Sequence, residues 1–178
     1  PIDHTYISPP IEANVEQLNN RFPNSNAAKL SQLNPQFRNL FSRFIERVES
    51  ETPYKVEIQS GFRTLAKQRE IAANNSVAAQ GYSLHNFGLA IDINLKKDGV
   101  YVARAKDNNY VWRATGVVTI AQELGLVWGG NFANYDPVHF GLDGASYNGF
   151  TFRGTTCYAK ALSQFGSDYN IIWNQVRF

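Results

Sequence analysis

Residues 83–94 read SLHNFGLAIDIN. A histidine comes first, then a turn-forming Asn-Phe-Gly, then an aspartate between two isoleucines. From Phe87 onward the segment reads as a strand. Phe87, Leu89, Ile91 and Ile93 share one face, and Gly88, Ala90 and Asp92 share the other. A carboxylate in such an apolar run needs a partner. Burying it unpaired costs several kcal/mol, on the order of what a whole domain has to spare. The strand thus raises two questions: what fold surrounds it, and what Asp92 pairs with.

The flanking sequence answers the first. "YKVEIQS" (54–60) alternates Tyr54, Val56 and Ile58 on one face and predicts a strand. "YVARA" (101–105), "LVWGG" (126–130) and "VHFGL" (138–142) predict further short strands. Helices are expected over "IEANVEQLNNRF" (11–22), from Asn34-Pro35 onward, over "TLAKQREIAANN" (64–75) with Thr64 as N-cap, over 113–125 and over 155–166. The helix after Pro35 carries Phe37, Leu40, Phe41, Phe44, Ile45 and Val48 at steps of three and four, an apolar face bound for the core. Ser167 is expected to cap a last helical stretch holding Ile171, Ile172 and Trp173, and residues 1–10 an extended lead-in. Helices first and a strand-rich centre predict an α+β fold with a small antiparallel sheet flanked by helices.

A chain of 178 residues suits one domain over 1–178, with a core of its own. A net charge of +2 is too small to argue for nucleic acid, and no apolar run approaches the ~20 residues of a membrane span. The N-terminus has no signal-peptide pattern, so synthesis in the cytoplasm is expected, and a monomer. Cys157 stands alone, with no internal disulfide and no Cys-x-x-Cys zinc pattern; it reads as a small apolar residue on a helix.

For Asp92 the candidate partners are histidines. His4 lies in the N-terminal lead-in and reads as incidental, which leaves His85 and His139. Two imidazoles and a carboxylate with an open coordination position make a catalytic zinc arrangement, and a divalent cation resolves the buried charge. Residues seven apart on a strict strand point to opposite faces, so His85 and Asp92 meet only if the chain turns between them. Asn86 and Gly88 supply that turn chemistry. On these residues alone a loop histidine, with Asp92 paired to an arginine, competes with the metal reading. Asp136 stands three before His139, and Pro137 biases it toward extended geometry. A carboxylate there could accept a proton from an attacking water, or could simply initiate a turn.

Together, "SGFRT" (60–64), "SLHNFGLAIDI" (83–93) and "DPVHF" (136–140) resemble the zinc D-alanyl-D-alanine peptidases and L-alanyl-D-glutamate endopeptidases, a family that includes vancomycin-resistance D,D-peptidases and bacteriophage endolysins. The pattern is an upstream Arg, Ser-x-His-x6-Asp, then an acid three before a second His. It covers about residues 54–142. The resemblance implies that His85, Asp92 and His139 hold Zn²⁺, that Asp136 is the general base, and that Arg63 stabilises the substrate carbonyl and its oxyanion. It implies substrate contact for Ser83 and a place near the site for Gln68, which as a plain helix residue would face solvent. Trp128, Gly129, Gly130 and Phe132 resemble a Trp-Gly-Gly segment bordering the family's cleft.

The function so implied is hydrolysis of peptidoglycan stem peptides, with an L-alanyl-D-glutamate endopeptidase of the phage endolysin type ahead of a D-Ala-D-Ala carboxypeptidase or dipeptidase. Such an enzyme is made in the cytoplasm and acts on the cell wall, released at host lysis or carried on a virion. A non-catalytic wall-binding module would have lost the base or the arginine, and both are present. A metal-dependent nuclease would want basic residues clustered near the site, and none are.

Overall fold

The computed structural model describes residues 18, 21–74, 78, 81–167 and 173–178. The expected lead-in over 1–10, His4, most of the 11–22 helix, and Ile171 and Ile172 lie outside the described residues.

The strand read from 83–94 is the pivot of the sheet. β2 (Ala90–Lys97) pairs antiparallel with β1 (Lys55–Ser60) along one edge. At its start β2 pairs with β5 (His139–Gly141), and at its end with β3 (Val100–Ala103). The β2–β3 hairpin turns on Asp98-Gly99, both at positive φ (51° and 77°), as a two-residue turn between right-twisted strands requires. β4 (Val127–Trp128) lies outside β5 and completes a five-stranded sheet. The expected α+β class with an antiparallel sheet is what the chain adopts. β2 starts three residues later than the pattern suggests, because residues 84–87 form a 3₁₀ turn and Gly88 closes it in the left-handed region.

Among the described residues Leu18 and Arg21 are helical, and two further helices lie before β1: α1 (Asn24–Ser31), which the sequence reading did not foresee, and α2 (Arg38–Glu51). Phe41, Phe44, Ile45 and Val48 of α2 are buried on the expected face, and Phe44 meets Phe140 of β5 at 5.1 Å between ring centroids. Asn34 opens the approach to α2 but does not cap the regular helix. Its Oδ1 accepts from the Gln36 N–H at 2.9 Å, while its backbone N–H donates to the Gly88 carbonyl and its side-chain amide to the Val176 carbonyl. These ties hold Asn34–Phe37 in turns, so regular helix begins at Arg38.

α3 (Leu65–Asn74) follows β1, with the Thr64 hydroxyl accepting from the Lys67 N–H as an N-terminal cap. The helix expected over 113–125 is two helices, α4 (Asn109–Ala114) and α5 (Val117–Glu123). Gly116 between them sits at φ +83°, a left-handed conformation that ends one helix and reorients the next. The real start signal was Asn108, whose Oδ1 accepts from the Tyr110 and Val111 N–H groups. A small hairpin, β6 (Ser146–Tyr147) with β7 (Phe150–Thr151), was also unforeseen. α6 (Gly154–Phe165) matches the expected C-terminal helix and buries Cys157. Beyond it Ser167 lies in a turn, and Trp173–Gln175 form a single 3₁₀ turn. No helix among the described residues is long and apolar enough to cross a membrane.

Candidate metal centre and its cleft

Strand pairing assembles the site. In the register of the sheet Asp92 of β2 lies between Ser60 of β1 and His139 of β5. The 3₁₀ turn before β2 swings His85 back over the same spot, so the seven-residue spacing works because the chain turns at 84–88. His85 Nε2 lies 3.1 Å from Asp92 Oδ1, and His139 Nδ1 lies 3.4 Å from the same oxygen. The ligand atoms of His85, Asp92 and His139 all fall within 4.8 Å of one another, a group that could hold a metal ion. The two rings meet nearly edge to face, with centroids 5.1 Å apart. Two imidazole nitrogens and a carboxylate oxygen converging on one point are a donor set that suits a divalent transition metal.

The electrostatics favour positive charge at that point. Burial alone would raise the Asp92 pKa, but His85 foremost, with His139, holds the carboxylate well below its usual range. Burial alone would lower His139, but Asp143 first and Asp92 next push the imidazole well above its usual value. Asp136 moves the other way from Asp92. Desolvation, then the negative charge of Asp92, raise its pKa against the pull of the imidazoles.

The other expected residues gather on the same cleft. It has a volume of about 370 Å³, and its lining includes Arg63, Gln68, Ser83, His85, Asp92, Asp136 and His139. Arg63 donates from Nη1 to Gln68 Oε1 at 2.9 Å and from Nη2 to Ser60 Oγ at 3.1 Å, and Nη2 stands 3.6 Å from Asp92 Oδ2. Its backbone is equally fixed: Arg63 N–H donates to the His85 carbonyl, and the Asn86 amide donates to the Arg63 carbonyl. Gln68 is buried, not solvent-facing, and its amide donates to the Ala78 carbonyl at 2.6 Å. It holds Arg63 by its oxygen and Ala78 by its nitrogen. Ser83 caps the 3₁₀ turn, its hydroxyl accepting from the His85 N–H at 3.3 Å.

Trp128 is buried beneath the loop and does not line the cleft; its indole N–H donates to the Pro137 carbonyl at 2.8 Å and anchors the 132–138 loop. Phe132 does line the cleft.

Four neighbours escaped the sequence reading. Ser60 and Asn86 position Arg63. Tyr82 lines the cleft with its ring stacked on Tyr158 of α6 at 4.9 Å. Asp143 accepts a hydrogen bond from His139 at 2.8 Å. Ser60 and Asn86 lie within the quoted motifs, Asn86 read there only as a turn residue, and carried that much signal. Tyr158 and Asp143 carried none.

Residues 77–142 match the family described as D-alanyl-D-alanine carboxypeptidase. The chain is 36% identical over 95 residues to the peptidoglycan L-alanyl-D-glutamate endopeptidase CwlK of Bacillus subtilis, an alignment covering 45% of this chain and 55% of the relative. The chain thus spans about half the length of that curated relative. Among solved structures it is similar to the Serratia marcescens L-Ala D-Glu endopeptidase ChiX, with a TM-score of 0.53 and 25% identity over 68% of this chain and 89% of that one.

Proposed function

We propose, from the match of residues 77–142 to the family described as D-alanyl-D-alanine carboxypeptidase, that the chain is a zinc-dependent peptidase that hydrolyses peptidoglycan stem peptides at the L-alanyl-D-glutamate bond, in the manner of a phage endolysin. One observation carries the reading. Two imidazole nitrogens and one carboxylate oxygen meet within 4.8 Å in a cleft that also holds an acid and an arginine.

His85 Nε2, His139 Nδ1 and a carboxylate oxygen of Asp92 would hold the ion. The donor set fits zinc, and the second nitrogen of each imidazole has an acceptor of its own. When bound, zinc supplies Lewis acidity and brings the pKa of water down toward about 7. Asp136 takes the proton of the attacking water and returns it to the leaving amine. Its raised pKa suits a group that must both accept and release a proton. Arg63, held by Gln68 and Ser60, keeps further N–H donors for the carbonyl oxygen as negative charge develops there.

The endopeptidase assignment draws support from both named relatives and from the cleft itself. Arg63 is the only lysine or arginine among the described residues lining it, and the reading above assigns it to the carbonyl oxygen. An exopeptidase needs a further group to grip a substrate terminus. The family description favours the second reading, cleavage of D-Ala-D-Ala. Digestion of purified sacculi, followed by mass spectrometry of the new ends, tests both. Free D-Glu amino termini are expected. Released D-Ala would move the assignment to an exopeptidase, and no release would leave a wall-binding module. The enzyme so proposed acts on the cell wall after synthesis in the cytoplasm.

A further inference from the structure

A metal-binding imidazole has a second nitrogen, and what that nitrogen meets decides which tautomer the ring adopts. The two histidines of this centre differ there. His85 faces the centre with Nε2, and its Nδ1 lies 2.8 Å from the Gly61 carbonyl, an uncharged backbone acceptor. His139 faces the centre with Nδ1, and its Nε2 lies 2.8 Å from Asp143 Oδ2. To offer a lone pair at Nδ1, His139 must carry its proton at Nε2. Asp143 is the acceptor that makes this the favoured form.

The surrounding structure is shaped to bring Asp143 there. The residue sits just past β5 in a turn pinned on both sides. Leu142 N–H donates to the Leu89 carbonyl at 3.1 Å, and Ala145 N–H to the Leu142 carbonyl at 2.8 Å. The carboxylate lies across Gly141. A Cβ at position 141 would stand 2.5 Å from Asp143 Oδ2 and 2.9 Å from the Ala90 Cβ, so the contact with His139 depends on a residue without a side chain. Its side chain is three-quarters covered, more than a residue serving only a surface turn requires. Its oxygen meets the nitrogen that points away from Asp92, so it is placed to orient a ligand and not to join the three-atom set.

We propose that Asp143 is a positioning residue of the metal centre: by accepting the His139 Nε2–H it fixes the tautomer and orientation that present Nδ1 to the ion, and strengthens that nitrogen as a donor. The inference rests on the metallopeptidase reading above. It also assigns the two imidazoles unequal strength, His139 being backed by a full charge and His85 by a carbonyl dipole.

The test is zinc affinity of the whole chain, measured by competition with a chromophoric chelator at fixed pH, together with the visible spectrum of the Co²⁺-loaded protein. Asp143→Ala is expected to bind zinc about 10- to 100-fold more weakly and to shift the Co²⁺ bands. Asp143→Asn has the same shape and can still accept through its amide oxygen, so it should recover part of the loss. The melting temperature of metal-free Asp143→Asn should stay close to wild type, which separates positioning from folding. Affinity and Co²⁺ spectrum unchanged in both variants would overturn the proposal. A wild-type chain that binds no zinc would defeat the metal reading itself, a different result from equal binding by wild type and variants.

Discussion

The two halves of the centre are held by different physics. Asp92 is shared by both rings; apart from it, what holds His85 is backbone and amide. The 3₁₀ turn sets the ring, the Gly61 carbonyl takes its Nδ1–H, and a lattice through Arg63, Asn86 and Gly81 ties turn to strand end. On the His139 side the holding groups are charges. Asp92 and Asp143 flank one ring on a short strand, and Asp136 lies in the loop before it. Hydrogen bonds to backbone give a fixed geometry that responds weakly to protonation. Carboxylates give a field that selects a cation and tunes proton affinity. Under the proposed function, in which the site holds an ion and moves protons, one half of each kind serves both tasks.

The comparison breaks most completely if both imidazoles are lost. The double substitution His85→Ala with His139→Ala should abolish zinc binding and activity, checked by elemental analysis and sacculus turbidity. Full zinc content in that variant would remove the assigned ligands from the site. The fold should survive, because the core of α2 against the sheet does not depend on the ion.

Next in size is Arg63→Ala. An interaction made mainly in the transition state lowers kcat and kcat/KM together, here by roughly 10²–10³. Zinc should stay at the wild-type level, and Arg63→Lys should recover little, lacking the planar donor fork. A pure KM effect would instead make Arg63 a clamp for a substrate carboxylate and favour the exopeptidase reading. Asp136→Ala should keep zinc and lose about 10² or more in kcat, with Asp136→Glu partly active. If Asp136→Ala loses zinc, the acid is a ligand.

The backbone half can be probed alone. Asn86 donates to the Arg63 carbonyl and accepts from the Gly81 N–H, at 2.9 and 3.1 Å. Asn86→Ala should therefore destabilise the chain by about 1–3 kcal/mol, read as a fall in denaturant midpoint. Zinc affinity should change less than in Asp143→Ala. The reverse ranking would mean that the two halves are not specialised as described.

The smallest effect concerns Cys157, on the helix that backs Tyr82 through Tyr158. Burial pushes its thiol up to about 12, so native protein should resist alkylation near pH 8 and become reactive only on unfolding. Ready labelling of the native chain would show that α6 opens and that this wall of the cleft is mobile.

Much of this centre was legible beforehand, for a physical reason. Metal ligation and acid–base work demand particular side chains, and short spacings such as His-x6-Asp and Asp-x-x-His survive as readable strings. The apolar face of α2 and the strand alternation of 54–60 were equally visible, because burial imposes periodicity. Where the reading slipped, a local signal was outweighed or overlooked. Asn34 looked like a cap of the regular helix, but its Oδ1 accepts from Gln36 in the turns before that helix, and its N–H groups are tied to Gly88 and Val176. The 113–125 helix ignored Gly116 as a break and Asn108 as a start. The Asn148-Gly149 turn of the β6–β7 hairpin was a signal that went unused.

Sequence by itself determined the α+β class, which follows from periodicity along each segment, while the resemblance of its motifs nominated the two histidines, the aspartates and the arginine that the fold brings to one cleft. Tertiary structure alone decided that Gln68 is buried behind Arg63 and that Tyr158 props Tyr82 from outside the matched segment. It decided too that Asp143 is the acceptor for His139. These are contacts between residues brought together by the packing of helices on the sheet, by strand pairing and by the turn just past β5. A hydrogen bond depends on distance and angle in space, and neither is written in the spacing of a string.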